Sequence, residues 1–163
     1  MNKVPSLMSL PEFTASELEK FLSKRLIATL ATKGRDGFPH VAPIWFLYEN
    51  KVILLCTNGQ TVKIKNIKAD NSVAVLIDAA REGFKIRGLL IKGRAEVLEG
   101  SEARNMNRRI HLKYMGAKAL KHPRVSAYLS GDDVTIRIRP ENICSWDYMK
   151  LPISKIKGLN LSF

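Results

Sequence analysis

Cysteine and histidine are scarce in this chain of 163 residues, with two of the first and three of the second. Cys56 and Cys144 are far apart, form no paired ligand motif and sit in strand-like apolar runs, so buried free thiols are expected rather than a disulfide. With His40, His111 and His122 scattered along the chain, no zinc motif forms and no metal site is expected. Long apolar runs are missing too, and nothing approaches the roughly 20 residues that cross a bilayer. The start, with Lys3, Pro5, Pro11 and Glu12, lacks the apolar stretch of a signal peptide, so a cytoplasmic location without a membrane partner is expected. Acidic residues are in deficit, 15 against 27 Lys and Arg, which leaves a formal net charge of +12 and asks for an anionic partner. Nucleic acid is not the partner expected. The basic residues are spread over 63–68, 81–94, 104–124 and 150–157, with no helix-turn-helix, zinc module or RNA-binding aromatic motif, which leaves anionic small molecules.

What is present is ordinary for a globular protein, 45% hydrophobic and 26% charged, which excludes disordered and fibrous classes. The length suits a single domain, 1–163, with 1–10 and 150–163 as terminal extensions. Pro11 to Lys24 has Phe13, Leu18, Phe21 and Leu22 at helical spacing and predicts an amphipathic helix that plugs one end of the fold. Leu26 to Thr32 and Phe38 to Tyr48 form a hairpin around Gly34-Arg35-Asp36-Gly37. Pro43 in the second strand marks either a bulged edge or a place where the backbone leaves its neighbour to face a ligand. Further strands are expected over Val52–Cys56, Val73–Ile77, Phe84–Leu98, Val134–Arg139 and Ile143–Tyr148, with a helix from Ser101 to about Lys121. Antiparallel strands with helices at the periphery suggest a small barrel, because closure removes exposed edges.

The densest local signal is Thr57-Asn58-Gly59-Gln60-Thr61-Val62-Lys63, where an apolar strand runs out into a lysine-bearing helix starting near Thr61. First-turn N–H groups lack internal partners and the helix dipole favours an anion there. Thr57 and Thr61 hydroxyls, the Lys63 ammonium and the close backbone approach at Gly59 would suit one phosphate monoester. The competing reading is a capped surface helix with a solvated lysine face. No catalytic triad, carboxylate pair or cysteine–histidine nucleophile stands out, and His40 is given no catalytic role.

Four blocks in order carry a resemblance: Leu30-Ala31-Thr32 through Gly37-Phe38-Pro39-His40-Val41-Ala42-Pro43-Ile44-Trp45-Phe46; Thr57 to Asp70; Gly93-Arg94-Ala95-Glu96-Val97; and Ile138-Arg139-Pro140-Glu141-Asn142-Ile143 with Ser145-Trp146-Asp147. Together they resemble the FMN-binding split barrel family, the pyridoxamine 5′-phosphate oxidase-like flavoproteins and their deazaflavin-dependent relatives. The resemblance implies a mainly β, six-stranded antiparallel split barrel with peripheral helices. It also implies a homodimer with the flavin in a groove at the subunit interface.

By position, Ala42, Pro43, Ile44 and Trp45 would flank the isoalloxazine ring, while Thr57, Asn58, Thr61 and Lys63 would hold the phosphate and ribityl chain. Trp146 would approach from the neighbouring subunit, with ordinary packing as its alternative. The chain also departs from the pattern. It has Thr61-Val62-Lys63 where many members carry Ser-Arg-Lys, and Ala42 and Leu47 where the oxidase has an arginine and a lysine. Lys150 to Phe163 matches no substrate-binding segment, so pyridoxamine phosphate is not the expected substrate. The function implied is an FMN-dependent oxidoreductase acting on a small molecule. The alternatives are a deazaflavin-dependent reductase and a non-enzymatic flavin carrier.

Overall fold

The computed structural model describes residues 11–80, 86–129 and 131–152. Helix α1 (Ala15–Leu22) leads into β1 (Ala28–Lys33), β2 (Pro39–Ile44), β3 (Phe46–Glu49) and β4 (Val52–Asn58). Then come α2 (Val62–Ala69), β5 (Ser72–Ala80), β6 (Ile86–Leu98), α3 (Gly100–Leu120), α4 (Pro123–Leu129) and β7 (Asp133–Asp147). The strands make one antiparallel sheet in the order β2-β1-β5-β6-β7-β4-β3. Strands β2 and β3 follow one another in the chain yet occupy opposite edges, so the sheet has to curl until its two edges meet at Trp45. This is the expected split barrel. It has seven strands where the resemblance implied six: the single strand expected over 38–48 breaks at Trp45 and its halves join different edges, while the last two expected strands are one.

Alternate residues of each strand fill the barrel, with Leu30, Phe46, Ile53, Leu55, Val75, Ile77, Leu89, Ile91, Ile136 and Ile138 all fully buried. Phe46, just past the strand break, is part of this core. Strand β2 has Pro39 and Pro43 on the same parity as Val41, so the missing N–H groups fall on the side away from β1, as an edge strand permits. The two strands expected over 134–139 and 143–148 are one, β7, paired with β6 throughout. Pro140 faces Gly93, and opposite the Lys92–Gly93 step β7 carries one extra residue, Glu141, as a bulge. Cys144 lies exposed on β7 rather than buried, because strand alternation turns it outward; Cys56 is half-buried, and both thiols are free.

Helix α1 is shorter than its apolar pattern because Thr14 caps it. The Thr14 Oγ1 accepts the Glu17 N–H and the Glu17 carboxylate accepts the Thr14 N–H at 2.8 Å. Phe21 and Leu22 then seal the barrel end. Nearby, buried Asp147 pairs with Arg87 at 2.9 Å and accepts the Met149 N–H, while the guanidinium lies over the Phe13 ring. Removing the carboxylate strands a half-buried cation, so Asp147→Ala should cost about 2–3 kcal/mol. A thermal melt should fall by about 4–12 °C; an unchanged melting temperature would show that the pair contributes nothing.

Candidate functional site

A groove of about 490 Å³ opens where the barrel edges meet. Its size falls within the ~300–1,000 Å³ usual for small-molecule sites. One wall is the β2–β3 junction, with Pro43, Ile44 and Trp45; the other is the end of β4 and the start of α2, with Thr57, Asn58, Thr61 and Lys63. Seven of the nine residues singled out in the sequence therefore line one cavity. Ala42 adjoins it on β2, paired with Leu30. Trp146 does not line the groove; it pairs with Gly88 on the outside of the sheet and packs where a Gly88 side chain would stand. A larger depression of about 570 Å³ lies by the end of α2. Its charged residues Lys68 and Asp70 are already paired with Glu99 and Lys33. It has no aromatic wall.

At the polar end, the Lys63 Nζ donates to the Thr57 hydroxyl at 3.2 Å, and burial pulls the Lys63 pKa below the usual lysine value. Thr61 stands at the N-cap of α2, but its hydroxyl donates backwards to the Asn58 carbonyl at 3.0 Å and does not cap the helix. The Asn58 side chain accepts the Gln60 N–H at 2.9 Å. The capped-helix reading thus fails at Thr61, and the first turn is left without its side-chain acceptor.

At the apolar end, Trp45 stacks on Tyr114 of α3 with ring centroids 4.9 Å apart and planes 3° from parallel. The Tyr114 hydroxyl accepts the Phe46 N–H at 3.2 Å and donates to the Leu26 carbonyl at 2.5 Å, which stitches the strand break in place. One residue earlier, Lys113 lies 3.8 Å from the Phe46 ring centroid and donates to the Leu22 carbonyl. Burial outweighs both contacts and pulls its pKa from 10.5 to about 8. Because the folded protein then binds fewer protons than the unfolded chain between those two values, stability should rise with pH from about 8 to 10.5 and be flat in this respect below. Denaturant titrations of Lys113→Met should lose that rise; an unaltered slope would mean that Lys113 keeps an ordinary pKa.

Between the two ends, Cys56, His111 and Asp133 meet. The Cys56 sulfur is 3.4 Å from His111 Nε2 and 3.8 Å from the Asp133 carboxylate, and all three residues line the groove. Burial, assisted by the Asp133 charge, pushes the Cys56 thiol up to about 12, and burial lowers the His111 pKa. A thiol so held is a poor nucleophile. Sequence reasoning did not gather these residues, nor Tyr114, which reads only as one apolar position of a helix. They arrive from β4, α3 and β7, and no spacing rule connects them.

The family description pyridoxamine 5′-phosphate oxidase matches residues 14–147. No curated protein sequence matches the chain. Among solved structures, conserved hypothetical protein Rv2991 from Mycobacterium tuberculosis is 27% identical with a TM-score of 0.75, over 91% of this chain and 94% of that one. An F420 reductase is 26% identical with a TM-score of 0.63, over 77% of this chain and 94% of that one. An FAD-binding protein from Mesorhizobium loti, at 23% identity and a TM-score of 0.62, shares the fold over 85% of this chain and 97% of that one. The match over residues 14–147 and the curled antiparallel sheet agree: the chain belongs to the pyridoxamine 5′-phosphate oxidase family, among the split-barrel flavoproteins.

Proposed function

We propose that this protein binds flavin mononucleotide in the groove at the β2–β3 break and serves as an oxidoreductase acting on a small molecule. The observation that carries this reading is one cavity with an aromatic wall at one end and a lysine–threonine pair beside an uncapped helix start at the other. Such a donor set fits a flavin phosphate. Lys63 supplies charge, the Thr57 and Thr61 hydroxyls and Asn58 supply hydrogen bonds, and the start of α2 favours an anion. The open edge of β2 offers the Pro43 carbonyl and the backbone of Val41, beside Ala42 and Ile44, to the polar rim of an isoalloxazine ring. When bound, the flavin supplies the hydride or electron chemistry; the chain holds it, orients it and keeps water from one face.

A deazaflavin coenzyme is the second reading, favoured by the similarity to an F420 reductase. An absorbance spectrum of purified protein, followed by titration with FMN and then deazaflavin, separates them. Saturable FMN binding supports the first reading and deazaflavin binding alone the second. Binding of neither overturns both. A flavin carrier would bind FMN yet pass no electrons from any donor tested.

The reading includes a homodimer. The outer sheet face carries Pro43, Leu76 and Leu90 in one register row and Val41, Ala31 and Ala74 in the next before Lys92, and Trp146 stands opposite Gly88 in the row on the other side. Such a face costs free energy when left in water. Sedimentation equilibrium should give twice the monomer mass, and Trp146→Ala should weaken flavin binding although Trp146 stands outside its own chain's groove. A monomer that binds flavin with full affinity would remove both statements.

A further inference from the structure

The geometry points to a divalent metal site of the kind that takes Zn²⁺, formed by Cys56 Sγ, His111 Nε2 and an Asp133 carboxylate oxygen on the groove floor. The ligand atoms all lie within 4.8 Å of one another. Zinc bonds of about 2.3 Å to sulfur and about 2.0–2.2 Å to nitrogen and oxygen, set tetrahedrally, separate the donors by about 3.4–3.6 Å. The observed sulfur–nitrogen and sulfur–oxygen distances are 3.4 and 3.8 Å. The nitrogen and the oxygen lie within 4.8 Å of one another, and side-chain rotation that draws them together would complete the coordination shell.

The scaffold holds the three donors from three directions. Cys56 and Asp133 are diagonal neighbours on the paired strands β4 and β7, where Cys56 faces Thr135 and Asn58 faces Asp133. His111 comes from α3, which is anchored to the same strand one turn earlier by Thr135 Oγ1 and Asn107 Oδ1 at 2.7 Å. The edge of the Trp45 ring lies against His111, with centroids 6.0 Å apart, and limits its swing. Thiolate and carboxylate balance the charge of a divalent ion, and the sulfur–nitrogen–oxygen set selects a borderline-soft metal over Mg²⁺ or Ca²⁺. All three ligands face the groove, so the fourth position opens toward it, as in zinc sites that accept water or a ligand oxygen. The site does not depend on the flavin reading.

The test is a Co²⁺ titration of the flavin-free full-length protein, followed by absorbance. One equivalent should produce thiolate-to-cobalt charge-transfer and tetrahedral d–d bands that Zn²⁺ abolishes and Mg²⁺ does not. Cys56→Ser should lose the charge-transfer band. His111→Gln and Asp133→Asn should each weaken Co²⁺ at least about 100-fold, since loss of an outer-shell partner alone costs about 10–100-fold. Circular dichroism identifies any variant that fails to fold. Absence of thiolate bands with saturating Co²⁺ on folded wild-type protein would overturn the site and leave a hydrogen-bonded Cys–His–Asp cluster. Bands that survive in Cys56→Ser and vanish in Cys144→Ser would overturn it as well.

Discussion

Lys63→Ala should weaken FMN binding by about 10- to 100-fold and change riboflavin affinity by less than about threefold, because a hydrogen bond to a charged group contributes about 1.5–3 kcal/mol. The two ligands differ only in the phosphate, so their comparison isolates that end of the groove. Lys63 is half-buried and already donates to Thr57 at 3.2 Å, so it is held in place before a ligand arrives. Its pKa lies below the ordinary lysine value because burial disfavours the ammonium. FMN affinity should therefore fall relative to riboflavin affinity with rising alkaline pH, and earlier than an ordinary lysine would allow. Fluorescence quenching titrations of both ligands, on wild-type and variant protein, read this directly. Equal losses for the two ligands would remove Lys63 from the phosphate site.

Gly93→Ala should lower stability by about 2–3 kcal/mol and the melting temperature by about 4–12 °C. A side-chain carbon at Gly93 would stand 2.2 Å from the Arg139 carbonyl oxygen and 3.2 Å from Pro140 Cα. These are backbone atoms of the neighbouring strand, which cannot rotate aside as a side chain would. The bulge between Lys92 and Gly93 lies in the longest pairing of the sheet, so relief requires β6 and β7 to separate locally. Gly88→Ala offers a graded comparison. Its new methyl meets the Trp146 ring at 2.6 Å, a side chain that can shift. A smaller loss is expected there, and a Gly93→Ala melt indistinguishable from wild type would refute the close-approach argument.

Much of the fold is legible in the chain because its signals are local. Continuous apolar runs at 73–77 and 52–56, helical spacing in 101–117 and the turn at Gly34–Gly37 each act within a few residues. The errors occur where a distant partner decides. Nothing near Trp45 says that the chain crosses there from one sheet edge to the other, and Pro140 reads as a strand end until pairing with β6 carries the strand past it through a bulge at Glu141. Cys144 sits in an apolar run that suggests burial, yet strand alternation turns it outward. At α1 the missed feature was local after all: the Thr14–Glu17 capping box was present to be read.

The candidate site divides in the same way. Thr57, Asn58, Thr61 and Lys63 are neighbours in the chain, so a strand end and a helix start present them together whatever the remainder does. The residues by themselves determined an antiparallel barrel with peripheral helices, a basic surface and that strand-to-helix turn, since periodicity, turn chemistry and charge act over short separations. Tertiary structure alone decided that Trp45 faces this turn across one groove, that Tyr114 braces it, and that Cys56, His111 and Asp133 meet on the floor. Those placements depend on strand register and on the curl of the sheet, which are set by packing the whole core at once rather than by any single stretch of chain.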